Sequence, residues 1–68
     1  MQQPEETVMT LVQTPDGYWR VVERGTDANG MLDRLWALVT DPTSPIKNWA
    51  YRSAAWYDTH REQFPTAP

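Results

Sequence analysis

The sequence predicts a small single-domain α+β fold in the order ββαα, with an antiparallel β-hairpin packed against two antiparallel helices. Two segments rich in β-forming residues flank a strong turn sequence, and two later segments repeat apolar residues at helical intervals. A chain of 68 residues has room for one core of marginal stability. We expect a single domain over residues 7–64, with flexible tails over residues 1–6 and 65–68.

The hairpin is predicted from residues 7–13 and 18–24, which are rich in β-branched and aromatic side chains. The turn sequence between them is Thr-Pro-Asp-Gly. Pro15 sets φ at the first corner, and Gly17 takes the left-handed position that other residues avoid. We therefore expect a three-residue loop closing two antiparallel strands.

This hairpin is apolar on both faces in the register that a three-residue loop sets. Met9 then lies opposite Glu23, and the other face carries Arg20 and Arg24 among valines. Because one layer of helices covers only one face, we expect the second face or an open edge to meet another protein or a second copy, which would extend the sheet to four strands. The alternative is that the two helices cover the sheet from opposite sides.

The first helix is predicted to begin after Gly25, with Thr26 or Asp27 as its N-cap, and to end at Asp41, before Pro42. Its apolar residues fall on one broad arc of the helix. These residues are Ala28, Met31, Leu32, Leu35, Trp36, Leu38 and Val39.

The second helix is predicted over about residues 45–63, with Ser44 as its cap and Pro45 in the first position, where its missing N–H costs nothing. Trp49 and Trp56 lie on its apolar arc, although Trp56 is at the edge, and Tyr51 lies outside the arc. The two helices, joined by a short loop, are expected to pack antiparallel.

The composition of the chain disfavours several classes of function. The net charge of -3, with only six Lys and Arg, disfavours nucleic-acid binding, which needs clustered basic residues. The chain has no cysteine and one histidine, His60, and it shows no converging set of catalytic residues. Its longest apolar run is far shorter than a membrane span. We therefore expect no enzymatic activity, cofactor, metal, small-molecule substrate or membrane association.

The sequence favours a small protein-interaction module in the cytoplasm, which associates with itself or docks on a larger protein. An accessory, inhibitory or structural protein of a phage or mobile element, acting in the phage particle or the infected bacterium, would suit this length and acidity. The alternative is a dimeric β-ribbon DNA-binding regulator that uses Arg20 and Arg24. The predicted interaction residues are Val12, Tyr18, Arg20, Val22, Tyr51 and Trp56.

Overall fold

The computed structural model describes residues 6–68, so most of the predicted N-terminal tail, residues 1–5, lies outside the described residues. The fold is α+β, as the sequence predicts, with a three-stranded antiparallel sheet in the order β2-β1-β3. The elements are β1 (Val8–Gln13), β2 (Trp19–Gly25), α1 (Ala28–Thr40), β3 (Asn48–Ser53), α2 (Ala54–Thr59) and a 3₁₀ turn (Arg61–Gln63).

The predicted hairpin turn is confirmed. The Thr14 N–H donates to the Tyr18 carbonyl at 3.0 Å, and the Gly17 N–H donates to the Thr14 carbonyl at 2.9 Å. Gly17 has a φ of 91°, in the left-handed region where a Cβ is unfavourable. The loop therefore has three residues, and glycine is needed at its last position.

A β-bulge in β2 changes the register beyond the first half of the hairpin. Leu11 lies opposite Val21, but the preceding residue, Thr10, lies opposite Glu23. Val22 is thus an extra residue in β2. An extra residue on one strand reverses the side to which the following side chains point.

The bulge corrects the expected placement of the two arginines. Met9 lies opposite Arg24, not Glu23, while Arg20 lies opposite Val12. Met9 and Val12 belong to opposite faces of β1, because side chains alternate along a strand. Arg20 and Arg24 therefore lie on opposite faces of the sheet and do not form one basic surface.

The segment predicted as the second helix differs in its first half, where it forms β3. This strand pairs antiparallel with β1, with Ala50 opposite Leu11 and Trp49 opposite Val12. Ala50 is buried between the sheet and α2. The helix starts only at α2, where the Ser53 hydroxyl accepts a hydrogen bond from the Trp56 N–H at 3.1 Å and so acts as the N-cap.

The two helices lie on opposite sides of the sheet. We call the side of the sheet that faces α1 the α1 side; Met31 and Leu35 of α1 are buried against it. The Asp27 carboxylate caps α1 by accepting from the Gly30 N–H at 3.2 Å, as the sequence predicts. On this side β1 places Val8, Thr10 and Val12, all buried.

The opposite side, which we call the C-terminal side, is covered by α2 and the residues that follow it. Phe64 packs edge-on against Trp19, with ring centroids 4.9 Å apart, and lies 5.8 Å from Tyr57. The Pro65 carbonyl accepts a hydrogen bond from the Trp19 N–H at 2.8 Å. The core cluster on this side is Met9, Leu11, Trp19, Ala50, Ala54, Tyr57 and Phe64.

Both faces of β1 are therefore covered within one chain, which is the alternative considered above and not the uncovered face that we expected. All residues of β1 except Gln13 are buried. The central position of β1 explains this burial, because β3 occupies the edge that a second copy would otherwise have filled. In the described part of the chain, no helix is long and apolar enough to cross a membrane.

Candidate interaction surface

An apolar groove lies between α1 and β3, and two exposed tryptophans flank it. Trp36 of α1 is 67% exposed and Trp49 of β3 is 49% exposed. The groove between them has a volume of about 280 Å³. We call it the tryptophan groove; it is lined by Leu32, Asp33, Leu35, Trp36, Val39 and Trp49.

This groove exists because the apolar arc of α1 is wider than the surface beneath it. Met31 and Leu35 fill the contact with the sheet, whereas Leu32, one residue along the arc, is 39% exposed. The side chain of Trp36 extends further from the sheet. On the neighbouring strand, the alternation of side chains turns Trp49 toward α1. Two large aromatic side chains thus flank a floor formed by Leu35.

One charged residue lines the groove, and a lysine lies just before β3 in the sequence. Asp33 is part of the lining, and Lys47 comes two residues before Trp49, where its N–H donates to the Gln13 carbonyl at 2.8 Å. Within residues 6–68, neither the Asp33 carboxylate nor the Lys47 ammonium forms an ion pair. The Asp33 carboxylate is therefore available to a molecule in the groove.

The other charged residue of this stretch, Arg34, is engaged within the chain. Its guanidinium donates from Nε to Oε1 of Glu23 at 2.8 Å and from Nη2 to Oε2. This two-pronged contact holds the pKa of Glu23 below its usual value and raises the pKa of Arg34. The pair ties α1 to β2 just after the bulge.

Three of the predicted interaction residues, Val12, Arg20 and Val22, meet in a second groove between β2 and the end of α1. Its volume is about 300 Å³, and Leu38 and Ile46 complete its apolar lining. Val12 is only 4% exposed and lies in the core, whereas Arg20 and Val22 are exposed. A ligand in this groove would contact the β2 side chains far more than Val12.

Tyr51 and Trp56 line an open hollow of about 560 Å³ beside Val8 and Ala28. Both side chains are half-buried. The Trp56 ring stacks on the His60 ring, with centroids 3.9 Å apart and planes within 5°. This hollow lies near the start of α1 and is distinct from the tryptophan groove.

His60 is held by its own neighbours in α2. Its Nδ1 lies 2.7 Å from the Trp56 carbonyl oxygen and 2.8 Å from the Thr59 hydroxyl. The guanidinium of Arg52 lies 5.2 Å from the Trp56 ring centre, a distance typical of cation–π contact. The single histidine of the chain thus takes part in a packed aromatic contact.

Tyr18, the remaining predicted interaction residue, lies at the hairpin turn and is exposed. Its backbone N–H donates to the Asp16 carboxylate at 3.0 Å. Hydrogen bonds from the Thr14 hydroxyl and from this N–H lower the pKa of Asp16. Tyr18 lines none of the grooves described above, so the structure distributes the predicted interaction residues over three places.

The open edges of the sheet are partly occupied by the chain's own groups. In β3, the Trp49 N–H donates to the Asn48 side-chain oxygen at 2.9 Å, and the Tyr51 carbonyl accepts from Arg52 Nη1 at 2.8 Å. In β2, the Trp19 N–H is bound by Pro65. Backbone groups engaged in this way are less available for the addition of another strand.

The sequence analysis placed Trp36 and Trp49 on the apolar arcs of two predicted helices and did not predict the tryptophan groove. A signal was present in α1, since its apolar arc contains seven residues, more than a small sheet shared with another helix covers. For Trp49 no local signal was sufficient, because its exposure depends on the pairing of β3 with β1.

No converging ligand set accompanies these grooves: within residues 6–68, no group of three or more His, Asp or Glu side chains is placed to hold a metal ion. The chain matches no protein-family model, and neither the curated proteins nor the solved structures contain a significant match.

Proposed function

We propose that this protein is a small non-enzymatic interaction module of the cytoplasm that binds another protein surface through the tryptophan groove. The observation that carries this proposal is the exposure of two tryptophans across one groove, 67% for Trp36 and 49% for Trp49. Tryptophan is one of the residue types enriched among those that dominate binding energy. Its exposure on a chain this small is costly for solubility unless a partner covers it.

The distribution of apolar residues supports this proposal. The core on the C-terminal side already contains Trp19, Tyr57 and Phe64, and the α1 side is anchored by Met31 and Leu35. Trp36 contributes little buried surface to the packing on either side of the sheet. Trp36 and Trp49 line one groove with Leu32, and a contiguous exposed apolar patch, unlike a single exposed residue, is typical of an interaction site.

The alternative proposal, a β-ribbon DNA-binding regulator, has weaker support. Its two arginines lie on opposite faces of β2, and Glu23 of the same strand is an acid that is paired with Arg34. A ribbon that enters a DNA groove needs its basic side chains on one face. The protein-binding proposal is compatible with an accessory or inhibitory role in a phage or a bacterial regulatory cassette.

A capture experiment tests this function. The chain is immobilised and exposed to an extract of its source cells, beside the variants Trp36→Glu and Ala37→Glu. Ala37 is exposed on α1 but lines no groove, so its variant adds the same charge outside the proposed surface. We expect the wild type and Ala37→Glu to retain the same proteins and Trp36→Glu to lose them. Identical capture by all three would contradict the proposal.

A further inference from the structure

The tryptophan groove brings two exposed indoles and one carboxylate together along a single surface. Trp36, Trp49 and Asp33 all line it. We infer that the groove takes an arginine side chain of the partner protein, with the guanidinium against the two indoles and beside the Asp33 carboxylate. This inference rests on the proposed function, because it specifies the group that the partner places in the same groove.

The two indoles are not engaged by any ring or cation of the chain itself. In the described part of the chain, neither Trp36 nor Trp49 stacks on another ring, and no guanidinium lies over either. Trp56 differs, since it stacks on His60 and lies 5.2 Å from the Arg52 guanidinium. The face of an indole attracts a cation electrostatically. The groove therefore offers two such rings to a cation from outside.

The charge of the groove favours a cation over an apolar group. Among the described residues, Asp33 is the one charge in the lining, and its carboxylate forms no ion pair. An apolar side chain that filled the groove would remove this carboxylate from water without giving it a partner, which is unfavourable. An acidic group would be repelled by Asp33 and by the net charge of -3. A cation gains from the carboxylate and from the indoles together.

The cations that neighbour the groove in sequence do not neutralise Asp33. Arg34 donates two hydrogen bonds to Glu23. The raised pKa of Arg34 is due first to Glu23, and Asp33 is the smallest of its causes. Lys47 precedes β3 and is not part of the lining. Asp33 therefore keeps its capacity to pair with a cation of another molecule.

The size and floor of the groove suit arginine. Its volume of about 280 Å³ is just below the roughly 300 Å³ at which small-molecule pockets begin, so it suits one long side chain. Leu35 and Val39 in the lining can contact the aliphatic stem, which arginine buries against apolar surface while its charge stays at a polar group. The flat guanidinium stacks on aromatic rings and also donates to carboxylates. Arginine and tryptophan are both enriched among residues that dominate binding energy.

Nuclear magnetic resonance on the ¹⁵N-labelled full chain tests this inference with the blocked tripeptide acetyl-Gly-Arg-Gly-amide. The control peptide carries citrulline, in which a neutral urea replaces the guanidinium. In low salt we expect a Kd on the order of 10 mM for the arginine peptide and at least about five-fold weaker binding for the citrulline peptide. The indole N–H signals of Trp36 and Trp49 should shift, and those of Trp19 and Trp56 should not. Equal binding of the two peptides, or no binding of either, overturns the inference.

Variants locate the site on the chain. Trp36→Ala, which also identifies the Trp36 signal by its loss, should weaken binding of the arginine peptide about five-fold. Asp33→Asn should weaken it about three-fold in low salt. The matched control Glu62→Gln removes the same charge from an exposed acid that lines no groove and should bind as the wild type does. Circular dichroism verifies that each variant is folded. If Glu62→Gln weakens binding as much as Asp33→Asn, the effect belongs to the net charge and the inference is wrong.

Capture from the cell extract separates failure of this inference from failure of the proposed function. We expect Asp33→Lys to lose the proteins that Trp36→Glu loses, because its own ammonium repels the partner's arginine. Loss in Trp36→Glu with full retention in Asp33→Lys would keep the groove as a protein-binding surface and overturn arginine as its occupant. Full retention in Trp36→Glu would instead contradict the proposed function itself.

Discussion

Tryptophan has a different role on each side of the sheet. On the C-terminal side, Trp19 is 9% exposed and packs against Phe64. On the α1 side, Trp36 is 67% exposed, and within residues 6–68 it stacks on no other aromatic ring. An aromatic side chain contributes to stability only through the surface that it buries. The comparison therefore separates tryptophan that builds the fold from tryptophan left for contact.

The difference arises from how each side is covered. Phe64 follows two short helical segments and reaches three aromatic neighbours, Trp19, Trp56 and Tyr57. An irregular segment can adapt its path to the surface and fill it. A single straight helix contacts a sheet only along one line of residues, here through Met31 and Leu35. The rest of its apolar arc remains open on both flanks.

The largest expected effect is from removing the central aromatic of the C-terminal side. Phe64→Ala should lower the free energy of unfolding by about 3–5 kcal/mol, because it leaves a cavity among packed rings. Urea titration followed by circular dichroism measures this loss, with Phe64→Leu as the milder control. A loss below about 1 kcal/mol would mean that the C-terminal residues are not part of the cooperative fold.

The next largest loss of stability is expected at Met31, which anchors α1 to the sheet. Met31 is fully buried between α1 and the sheet, and Met31→Ala should cost about 2–4 kcal/mol. The matched control is Leu32→Ala, one residue along the helix, which is 39% exposed and should cost much less. Equal losses in urea titrations would show that the two residues are similarly buried and would remove the contrast between the inner and outer parts of the arc.

A turn substitution gives a smaller effect that is independent of packing. A Cβ at Gly17 would meet no other group within 4 Å, but φ is +91°. Gly17→Ala should therefore cost about 1–2 kcal/mol through backbone strain alone. Thermal unfolding would measure the loss. Asp16→Ala is not a suitable control, because the Asp16 carboxylate accepts hydrogen bonds within the turn. Gly30→Ala is also unsuitable, because its Cβ would collide with the Asp27 carboxylate.

Local signals were enough to predict the hairpin and α1. The turn needed Gly17, and the Asp27 cap and Pro42 set the two ends of α1, so nearby residues determined these elements. The bulge at Val22 was not predictable, because the spacing of residues in β2 allows either register. Its consequence, the separation of the arginines, was missed for the same reason.

β3 was missed because residues 48–53 satisfy two patterns. Trp49 and Ala50 fit a helical arc, but Tyr51 does not, and alternation explains all three: Trp49 and Tyr51 point to one side and Ala50 to the other. Pairing with β1, far away in sequence, decides between the patterns. The exposed tryptophan groove depends on that same pairing, so the candidate site was less predictable than the fold class.

The ion pair between α1 and β2 gives a pH-dependent test. Arg34 lowers the pKa of Glu23 in the folded state, so the folded state binds fewer protons than the unfolded state in acid. The stabilisation by this pair is therefore present at neutral pH and is lost as pH falls below about 4. Glu23→Gln should lower the thermal midpoint at pH 7, and the difference from the wild type should vanish in acid. Asp16 and Asp41, whose pKa values are also lowered, titrate in the wild type and in Glu23→Gln alike, so their contributions cancel in the difference between the two. A difference independent of pH would contradict this role.

The smallest expected effect is the most informative for the comparison. Trp36→Ala should change the free energy of unfolding by only about 0.5 kcal/mol, as for other exposed positions, while Trp19→Ala should cost about 3–5 kcal/mol. Urea titrations of the two variants under one set of conditions measure both. If Trp36→Ala proves as damaging as Trp19→Ala, Trp36 is part of the core in solution and the groove is closed. A near-zero loss would show that Trp36 is not needed for stability, as the proposed binding role of the groove requires.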